Sequence, residues 1–216
     1  MSIFISGWAR IRLTYFHLKK ERTKKSDLLN SLPDEWPVDL RPQIQQKIAA
    51  SKCKVVVLDD DPTGTQTVHS VPVLTDWSVE TLQAELLTDL PAFYILTNSR
   101  SFTLDVAQSI NKEIGGNLIE AARKANRPFV VISRSDSTLR GHFPGEVDAL
   151  AKALTQNFDG WIINPFFLEG GRYTIDDVHY VDDGGWLVPA AETEFARDSV
   201  FGYQASNLCG WIEEKT

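Results

Sequence analysis

The sequence predicts an α/β protein with a doubly wound, mostly parallel sheet, a Rossmann-like three-layer arrangement, and a β-hairpin appendage. Short apolar, β-branched runs alternate along the chain with segments whose apolar residues recur every three or four positions. Such alternation is typical of parallel sheets, because each pair of parallel strands needs a crossover connection. The length of 216 residues and the 43% hydrophobic content are those of a globular domain.

Five runs have the composition of strands. Most are continuous apolar runs rich in Val and Ile, which is typical of strands buried on both faces. The predicted strands are 54–58, 70–77, 92–97, 128–133 and 160–164. A hairpin is predicted over 178–188, because Asp183-Gly184-Gly185 is a turn sequence between two apolar runs.

Four helices are predicted between these strands. The first covers about 41–51, and the second follows Ser78, a favourable N-cap residue. The third is indicated by a stripe of apolar residues at steps of four: Val106, Ile110, Ile114, Leu118 and Ala122. The fourth begins near Pro144, which suits the first turn of a helix, and carries Val147, Leu150 and Leu154.

The charge distribution separates the N-terminus from the rest of the chain. Residues 1–25 carry seven basic side chains and one acidic side chain, although the whole chain has a formal net charge of -7. We predict that residues 1–26 are a basic extension, disordered or contributing little to the fold. Residues 27–216 contain no internal repeat and no clear linker, so they are predicted to form one domain.

Composition also excludes several classes of protein. The net negative charge argues against a general nucleic-acid binder. No stretch approaches the roughly 18 apolar residues of a membrane span. The two cysteines, Cys53 and Cys209, form no CxxC pair, so neither a disulfide framework nor a zinc site is predicted. We therefore expect a cytoplasmic protein with no membrane or nucleic-acid partner and no metal ligands of its own.

Charged side chains follow the predicted strands at the points where the strands end. The segments after the strands contain Asp59-Asp60-Asp61, Asn98-Ser99-Arg100, the run Arg134 to Arg140, and Gly170-Gly171-Arg172. Ligands of open parallel sheets bind at the carboxyl ends of the strands. Arginine binds carboxylates through two hydrogen bonds, and aspartate accepts hydrogen bonds from hydroxyl groups. These segments favour a small polyhydroxylated acid as ligand, although the arginines could instead form structural ion pairs with neighbouring aspartates.

One alternative is a phosphatase of the haloacid dehalogenase type. Residues 59–63 satisfy its opening pattern Asp-x-Asp-x-Thr, and the strand 92–97 ends in Thr97 as its second pattern requires. Asp59 would then be the nucleophile, Asp61 the acid/base, and Mg²⁺ would lie between carboxylates. The final pattern, an acid pair closing another apolar strand, is missing, because 160–164 ends in Asn164.

A second interpretation covers more of the chain. The segments LDDDPTGTQTVHSVPVLTDW, LTNSRS, SRSDSTLRGHFPGE, NPFFLEGGRYTIDDVHYV and TEFARDSVFGYQASNL, in this order, resemble the N-terminal, sugar-acid-binding domain of the four-carbon acid sugar kinase family. Some relatives are labelled Hrp-dependent type III effectors, but no residue here supports secretion. The resemblance begins near residue 27 and leaves residues 1–26 outside.

The resemblance implies a function and a set of site residues. Members of the family phosphorylate four-carbon sugar acids, such as erythronate and threonate, with ATP and Mg²⁺. It implies that the pocket is lined by Asp60, Asp61, Arg100, Arg134, Ser135, Asp136, Ser137 and Thr138; Arg140 and Arg172 are added from their chemistry. One arginine is expected to bind the substrate carboxylate, and Asp61 or Asp136 to orient or deprotonate the terminal hydroxyl.

The resemblance also implies a second, nucleotide-binding domain following this one. The sequence has no GxxxxGK[ST] phosphate loop, and phosphoryl transfer depends on holding the phosphates in place. We therefore expect the 216 residues to bind a sugar acid without catalysing transfer. The other possibility is a stand-alone binding module. The oligomeric state is open, with a homodimer possible.

Overall fold

The computed structural model describes residues 22–155 and 158–216. In chain order the elements are β1 (Thr23–Lys24), α1 (Lys25–Asn30), α2 (Arg41–Ser51), β2 (Lys54–Asp59), β3 (Val73–Leu74), α3 (Val79–Leu86), β4 (Ala92–Leu96), α4 (Leu104–Ala125), β5 (Phe129–Arg134), α5 (Gly145–Ala153), β6 (Arg172–Ile175), β7 (Val178–Asp183), β8 (Trp186–Pro189) and α6 (Leu208–Lys215). Short 3-10 helices cover Ser99–Ser101, Ala190–Glu192 and Glu194–Arg197.

The chain divides into two compact units. The parallel unit comprises Asp34–Asp136 and Gly141–Gln156; the antiparallel unit comprises Ser137–Arg140 with the described parts of Met1–Pro33 and Asn157–Thr216. The prediction of one domain over 27–216 stays a prediction. Most of the predicted N-terminal extension lies outside the described residues, but its last part contributes β1, which pairs with β8.

The parallel unit is built around a four-stranded sheet in the order β3-β4-β2-β5, with all pairs parallel. Helices α3, α4 and α5 contribute buried leucine and isoleucine side chains to a core that also contains Val56, Leu58, Phe93 and Ile95 of the sheet. On the opposite face of β5, Val130 and Ile132 are half exposed. The predicted α/β class with a parallel sheet is confirmed.

Several predicted elements agree with the structure, and two need correction. The strands 54–58, 92–97 and 128–133 are present, whereas only Val73–Leu74 of the predicted strand 70–77 is paired. The predicted strand 160–164 is wrong: no strand of the described chain pairs with it, and Ile162 is 63% exposed. β-Branched composition indicates that a segment suits a strand, but pairing depends on the tertiary context.

The buried stripe of α4 also differs from the predicted one. Val106 is 40% exposed, and the side of the helix that faces the core carries Ala107, Asn111, Ile114, Gly115, Leu118 and Ala121. An α-helix has 3.6 residues per turn, so a stripe drawn at steps of four drifts around the helix and leaves the buried face at its ends.

The antiparallel unit contains a four-stranded sheet in the order β1-β8-β7-β6. The predicted hairpin is present as β7 and β8, joined through Gly184 and Gly185 with φ angles of 59° and 90°, which glycine adopts without a Cβ clash. Ile175, Val178, Tyr180 and Leu187 form the core of this sheet. None of the helices in the described ranges has the length and hydropathy of a membrane-spanning segment.

Candidate functional site

Three strands of the parallel sheet end side by side. Asp59, the last residue of β2, lies in register with Leu96 of β4 and Arg134 of β5. The backbone amide of Thr97 donates to Asp59 O at 2.9 Å. The segments that follow these strands therefore leave the sheet at one edge, as in other open parallel sheets that bind ligands there.

Asp59 is buried beneath this edge, with a side-chain exposure of 1%. Its Oδ1 accepts a hydrogen bond from Nη1 of Arg134 at 3.1 Å. The backbone of Gly64 lies against its other oxygen, because a Cβ added at position 64 would lie 2.0 Å from Oδ2. Asp59 is thus enclosed by its own chain, which does not suit a nucleophile that a phosphate must approach.

Asp60 is also buried and holds the start of the β5–α5 connection. Its Oδ2 accepts a hydrogen bond from the Ser135 hydroxyl at 2.5 Å, while its Oδ1 lies 4.0 Å from Nη1 of Arg134. The pKa of Asp60 is raised to about 6. Burial is the largest cause and the negative charge of Glu146 adds to it, while the Ser135 hydrogen bond and the positive charges of Arg100 and Arg134 act in the opposite direction. A carboxyl group with this pKa exchanges its proton near neutral pH.

Arg100 joins the two carboxylates that the sequence identified as candidate bases. Its guanidinium forms an ion pair with Oδ2 of Asp61, and its Nη1 lies 3.5 Å from Oδ1 of Asp136. The other oxygen of Asp61 accepts from the backbone amide of Thr63 at 2.6 Å. Arg100 itself lies in the short 3-10 helix after β4, and its backbone amide donates to Asp60 O at 3.3 Å.

Buried polar atoms without hydrogen-bond partners cluster at this edge. Within the part of the chain that the structure describes, they include Asp59 Oδ2, Asp60 Oδ1 and Arg100 Nη1. Unpaired buried polar atoms are costly, so their grouping is typical of a site that binds a polar ligand. The cluster formed by Asp59, Asp60, Asp61, Arg100, Arg134, Ser135 and Asp136, here called the acidic cluster, has more carboxyl groups than guanidinium groups.

The remaining residues predicted for the site lie in the antiparallel unit: Ser137, Thr138, Arg140 and Arg172. Thr138 is buried and accepts a hydrogen bond from Arg140 Nε at 3.1 Å. The guanidinium carbons of Arg140 and Arg172 lie 5.1 Å and 5.4 Å from the centre of one ring, that of Phe195. Arg140 also lies 3.7 Å from Asp198, and Arg172 donates to Gly170 O.

Sequence reasoning included Ser135 in the run from Arg134 to Thr138 but missed two other residues around these groups, Glu146 and Phe195. Glu146 is buried in the first turn of α5, where its Oε1 accepts a hydrogen bond from Nδ2 of Asn111 at 2.9 Å. The sequence alone indicates only that an acidic residue lies at the start of a helix. Phe195 lies in the segment TEFARDSVFGYQASNL, but its role could not be predicted from it, because its contacts with Arg140 and Arg172 are tertiary.

The carboxylates do not form a metal-binding group. Within residues 22–155 and 158–216, no group of three or more His, Cys, Asp and Glu side chains has an arrangement that could hold a metal ion. The carboxylates of the acidic cluster are instead engaged by Arg100, Arg134, Ser135 and the backbone after Asp61.

Comparisons with known proteins point to one family. A family model described as "Sugar-binding N-terminal domain" matches residues 55–216. No curated protein sequence matches this chain.

Three similar solved structures share the fold. Two are crystal forms of a domain of unknown function (DUF1537) from Bordetella bronchiseptica, described as a domain-swapped dimer with bound citrate; they have TM-scores of 0.53 and 0.54 at 21% and 24% identity. The third, a DUF1537 protein from Haemophilus influenzae, has a TM-score of 0.53 at 19% identity. Each match covers 74% of this chain but only 38–40% of the other, so the match spans about two fifths of these proteins.

Proposed function

Because this chain belongs to the family of the sugar-binding N-terminal domain, whose model matches residues 55–216, we propose that it binds a four-carbon sugar acid of the erythronate or threonate type. The observation that carries this proposal is the bridge that Arg100 makes between Asp61 and Asp136 beside the buried Asp60. It fixes carboxylate oxygens at the carboxyl edge of a parallel sheet, where such folds bind small molecules.

The acidic cluster is better suited to hydroxyl groups than to a carboxylate. Its excess of carboxyl groups would repel a ligand carboxylate, whereas carboxylate oxygens accept hydrogen bonds from sugar hydroxyls. Guanidinium is the group that binds carboxylates through paired hydrogen bonds. One of the predicted site arginines, Arg100, Arg134, Arg140 or Arg172, therefore stays the proposed ligand of the sugar-acid carboxylate.

We further propose that the chain supplies the sugar-acid-binding part of a four-carbon acid sugar kinase. The match with the solved structures covers about two fifths of their length. In this proposal, a separate part of the natural protein would bind ATP and Mg²⁺. In that enzyme Asp61 and Asp136, both beside Arg100, would orient the hydroxyl that is phosphorylated. The 216 residues alone are then expected to bind the acid without phosphorylating it.

Two finer points belong to the same proposal. A homodimer is proposed because the Bordetella bronchiseptica structures are described as domain-swapped dimers. A reducing cytoplasm is proposed because Cys53 and Cys209 are both free thiols.

The phosphatase alternative is not favoured, since its nucleophile would be the enclosed Asp59. A stand-alone sugar-acid-binding module remains the alternative to a kinase domain.

Isothermal titration of the chain with erythronate, threonate and citrate tests the binding proposal. We expect measurable binding of at least one four-carbon acid. The Kd should be at least tenfold higher in the Arg100→Ala variant. It should be unchanged in Arg41→Ala, which removes an exposed ion pair with Asp39. Absence of binding to every acid would reject the proposal. Mg²⁺-dependent release of phosphate from a phosphorylated compound would instead support the phosphatase.

ATP then separates the two remaining alternatives. Phosphorylation of a sugar acid in a longer natural protein that contains this chain, but not by the 216 residues, would support the kinase domain. Binding without any phosphorylation by the natural protein would support the stand-alone module.

A further inference from the structure

His179 lies in the middle of β7 with its side chain fully buried, and both of its ring nitrogens are engaged. Nδ1 lies 3.0 Å from the hydroxyl of Thr174, and Nε2 lies 2.7 Å from the backbone oxygen of Ser137. A carbonyl oxygen can only accept, so Nε2 carries the hydrogen. Nδ1 of the neutral ring then accepts from the Thr174 hydroxyl, and one tautomer satisfies both contacts.

The position of the His179 ring is fixed by residues of the antiparallel sheet. His179 is paired directly with Thr174 across β6 and β7, so the residue that orients the ring is its own cross-strand neighbour. The backbone amide of His179 donates to Ser206 O at 2.8 Å, which fixes the strand on its other side. The imidazole is therefore held by groups that do not depend on the loop it contacts.

The other side of the contact is a short irregular segment. Ser137–Arg140 belongs to the antiparallel unit, has no regular secondary structure, and includes Leu139 in the left-handed region with φ of 65°. A leucine in that conformation is uncommon and must be stabilised by its surroundings. Thr138, directly after the anchored carbonyl, accepts the Arg140 hydrogen bond.

We propose that His179, as the Nε2–H tautomer, is a positioning residue that fixes the Ser137 carbonyl and thereby the placement of Thr138 and Arg140. That Thr138 and Arg140 bind a sugar acid rests on the proposed function. The hydrogen bond by which His179 holds the Ser137 carbonyl does not depend on it. Fixing one peptide plane limits the directions available to the next residues, because the chain has only two soft dihedral angles per residue. His179 touches no reacting atom in this scheme and acts through the segment it holds.

Two substitutions separate anchoring from burial. His179→Phe keeps an aromatic ring but removes the donor, whereas His179→Gln places an amide nitrogen near the position of Nε2 and can restore the hydrogen bond to Ser137. Val181→Ala, in the same strand, removes buried apolar volume but keeps the imidazole of His179, so it controls for lost stability. Thr174→Val removes the hydroxyl that orients the ring.

The first measurements do not depend on any ligand. Long-range ¹H–¹⁵N correlation spectra of the imidazole should show hydrogen on Nε2. Amide exchange of Thr138–Arg140 should be at least tenfold faster in His179→Phe than in the wild type. It should return towards the wild-type rate in His179→Gln and be unchanged in Val181→Ala. If His179→Phe does not fold, His179→Asn, whose shorter side chain places its amide near the position of Nδ1, supplies the variant without the donor at Ser137. Thr174→Val, which removes the hydroxyl that orients the ring, should also speed the exchange. An Nδ1–H tautomer, or unchanged exchange in a folded variant without the donor, would overturn the anchoring.

Binding of erythronate and threonate then tests the functional part of the inference. His179→Phe is expected to weaken the Kd by at least tenfold, with recovery in His179→Gln and no comparable loss in Val181→Ala. If the amides of Thr138–Arg140 exchange faster in His179→Phe but its Kd equals that of the wild type, His179 has no role in ligand binding. If the wild type binds neither acid, the proposed function fails and this role fails with it, while the tautomer and the exchange rates still decide the anchoring.

Discussion

The side-chain hydroxyl of Ser135 donates a hydrogen bond of 2.5 Å to Oδ2 of Asp60. The two residues follow β5 and β2, which are neighbours in the sheet. The backbone of Gly141, with a φ of 141°, lies close to the Ser135 hydroxyl, because a Cβ at that position would be 2.2 Å from the Ser135 oxygen. Burial outweighs the Ser135 hydrogen bond in its effect on Asp60, and the pKa of the carboxyl group is raised from 3.8 to about 6.

Asp60 should make the stability of the protein depend on pH. The pKa of Asp60 is raised by folding, so the folded state binds this proton more tightly than the unfolded state, and stability falls as pH rises from about 4 to about 6. The shift of about two units corresponds to a penalty on the order of 3 kcal/mol above pH 6. Asp60→Asn should therefore be more stable than the wild type at pH 7 and should lose this part of the pH dependence. Urea denaturation from pH 4 to pH 8 measures both, with the exposed Glu35→Gln as control; an unchanged slope in Asp60→Asn would contradict the assignment.

Removing the Ser135 hydroxyl should raise the pKa of Asp60 further. The hydrogen bond stabilises the ionised carboxylate, so its loss favours the protonated form. In Ser135→Ala, the ¹³C titration of the Asp60 carboxyl group should have its midpoint at a higher pH than in the wild type. Ser101→Ala, which removes an exposed hydroxyl in the same unit, should leave the midpoint in place. A midpoint at lower pH in Ser135→Ala would show that the hydroxyl does not donate to the carboxylate.

Gly64 should tolerate no side chain, because its backbone lies against the Asp59 carboxylate. Gly64→Ala would displace that carboxylate from Arg134, with an expected loss of about 1–3 kcal/mol in the free energy of unfolding. Gly116→Ala is the matched control: it lies in α4, its added Cβ meets nothing within 4 Å, and it should gain about 0.5–1 kcal/mol. Denaturation curves compare the two variants, and equal effects would count against the close approach.

Arg100 should not be replaceable by lysine. Its guanidinium spans Asp61 and Asp136, and a lysine ammonium is a point charge that cannot reproduce this fork. Arg100→Lys should weaken the Kd for erythronate or threonate by about tenfold, equivalent to about 1.4 kcal/mol. Arg41→Lys, at an exposed ion pair, serves as the control in the same titration. A Kd for Arg100→Lys within twofold of the wild type would exclude the bridge from ligand binding.

Phe195 should stabilise the antiparallel unit through its ring. The guanidinium groups of Arg140 and Arg172 both lie within 5.4 Å of the ring centre. Phe195→Leu keeps apolar bulk but removes the aromatic face, with an expected loss of about 1 kcal/mol. Phe195→Tyr retains the ring and should lose less. Urea denaturation of both variants tests this, and equal losses would argue against a cation–π contribution.

Much of the fold could be predicted because its signals are local. The apolar runs of β2, β4 and β5 and the glycine turn between β7 and β8 each specify an element from neighbouring residues. The apolar run at 160–164 has the same composition, yet Ile162 is exposed and no strand forms. A strand depends on a partner, and the run itself contains no information about that partner.

By itself, the sequence determined that Asp59, Asp60 and Asp61 follow a buried strand and that arginines follow the neighbouring ones. Only the tertiary structure decided the partners: Arg134 for Asp59, Ser135 for Asp60, and Arg100 for both Asp61 and Asp136. It also enclosed Asp59 and placed Phe195 beside two arginines. The physical reason is that the pKa and the contacts of a side chain depend on burial and on neighbours far along the chain; Asp60 and Ser135 are 75 residues apart.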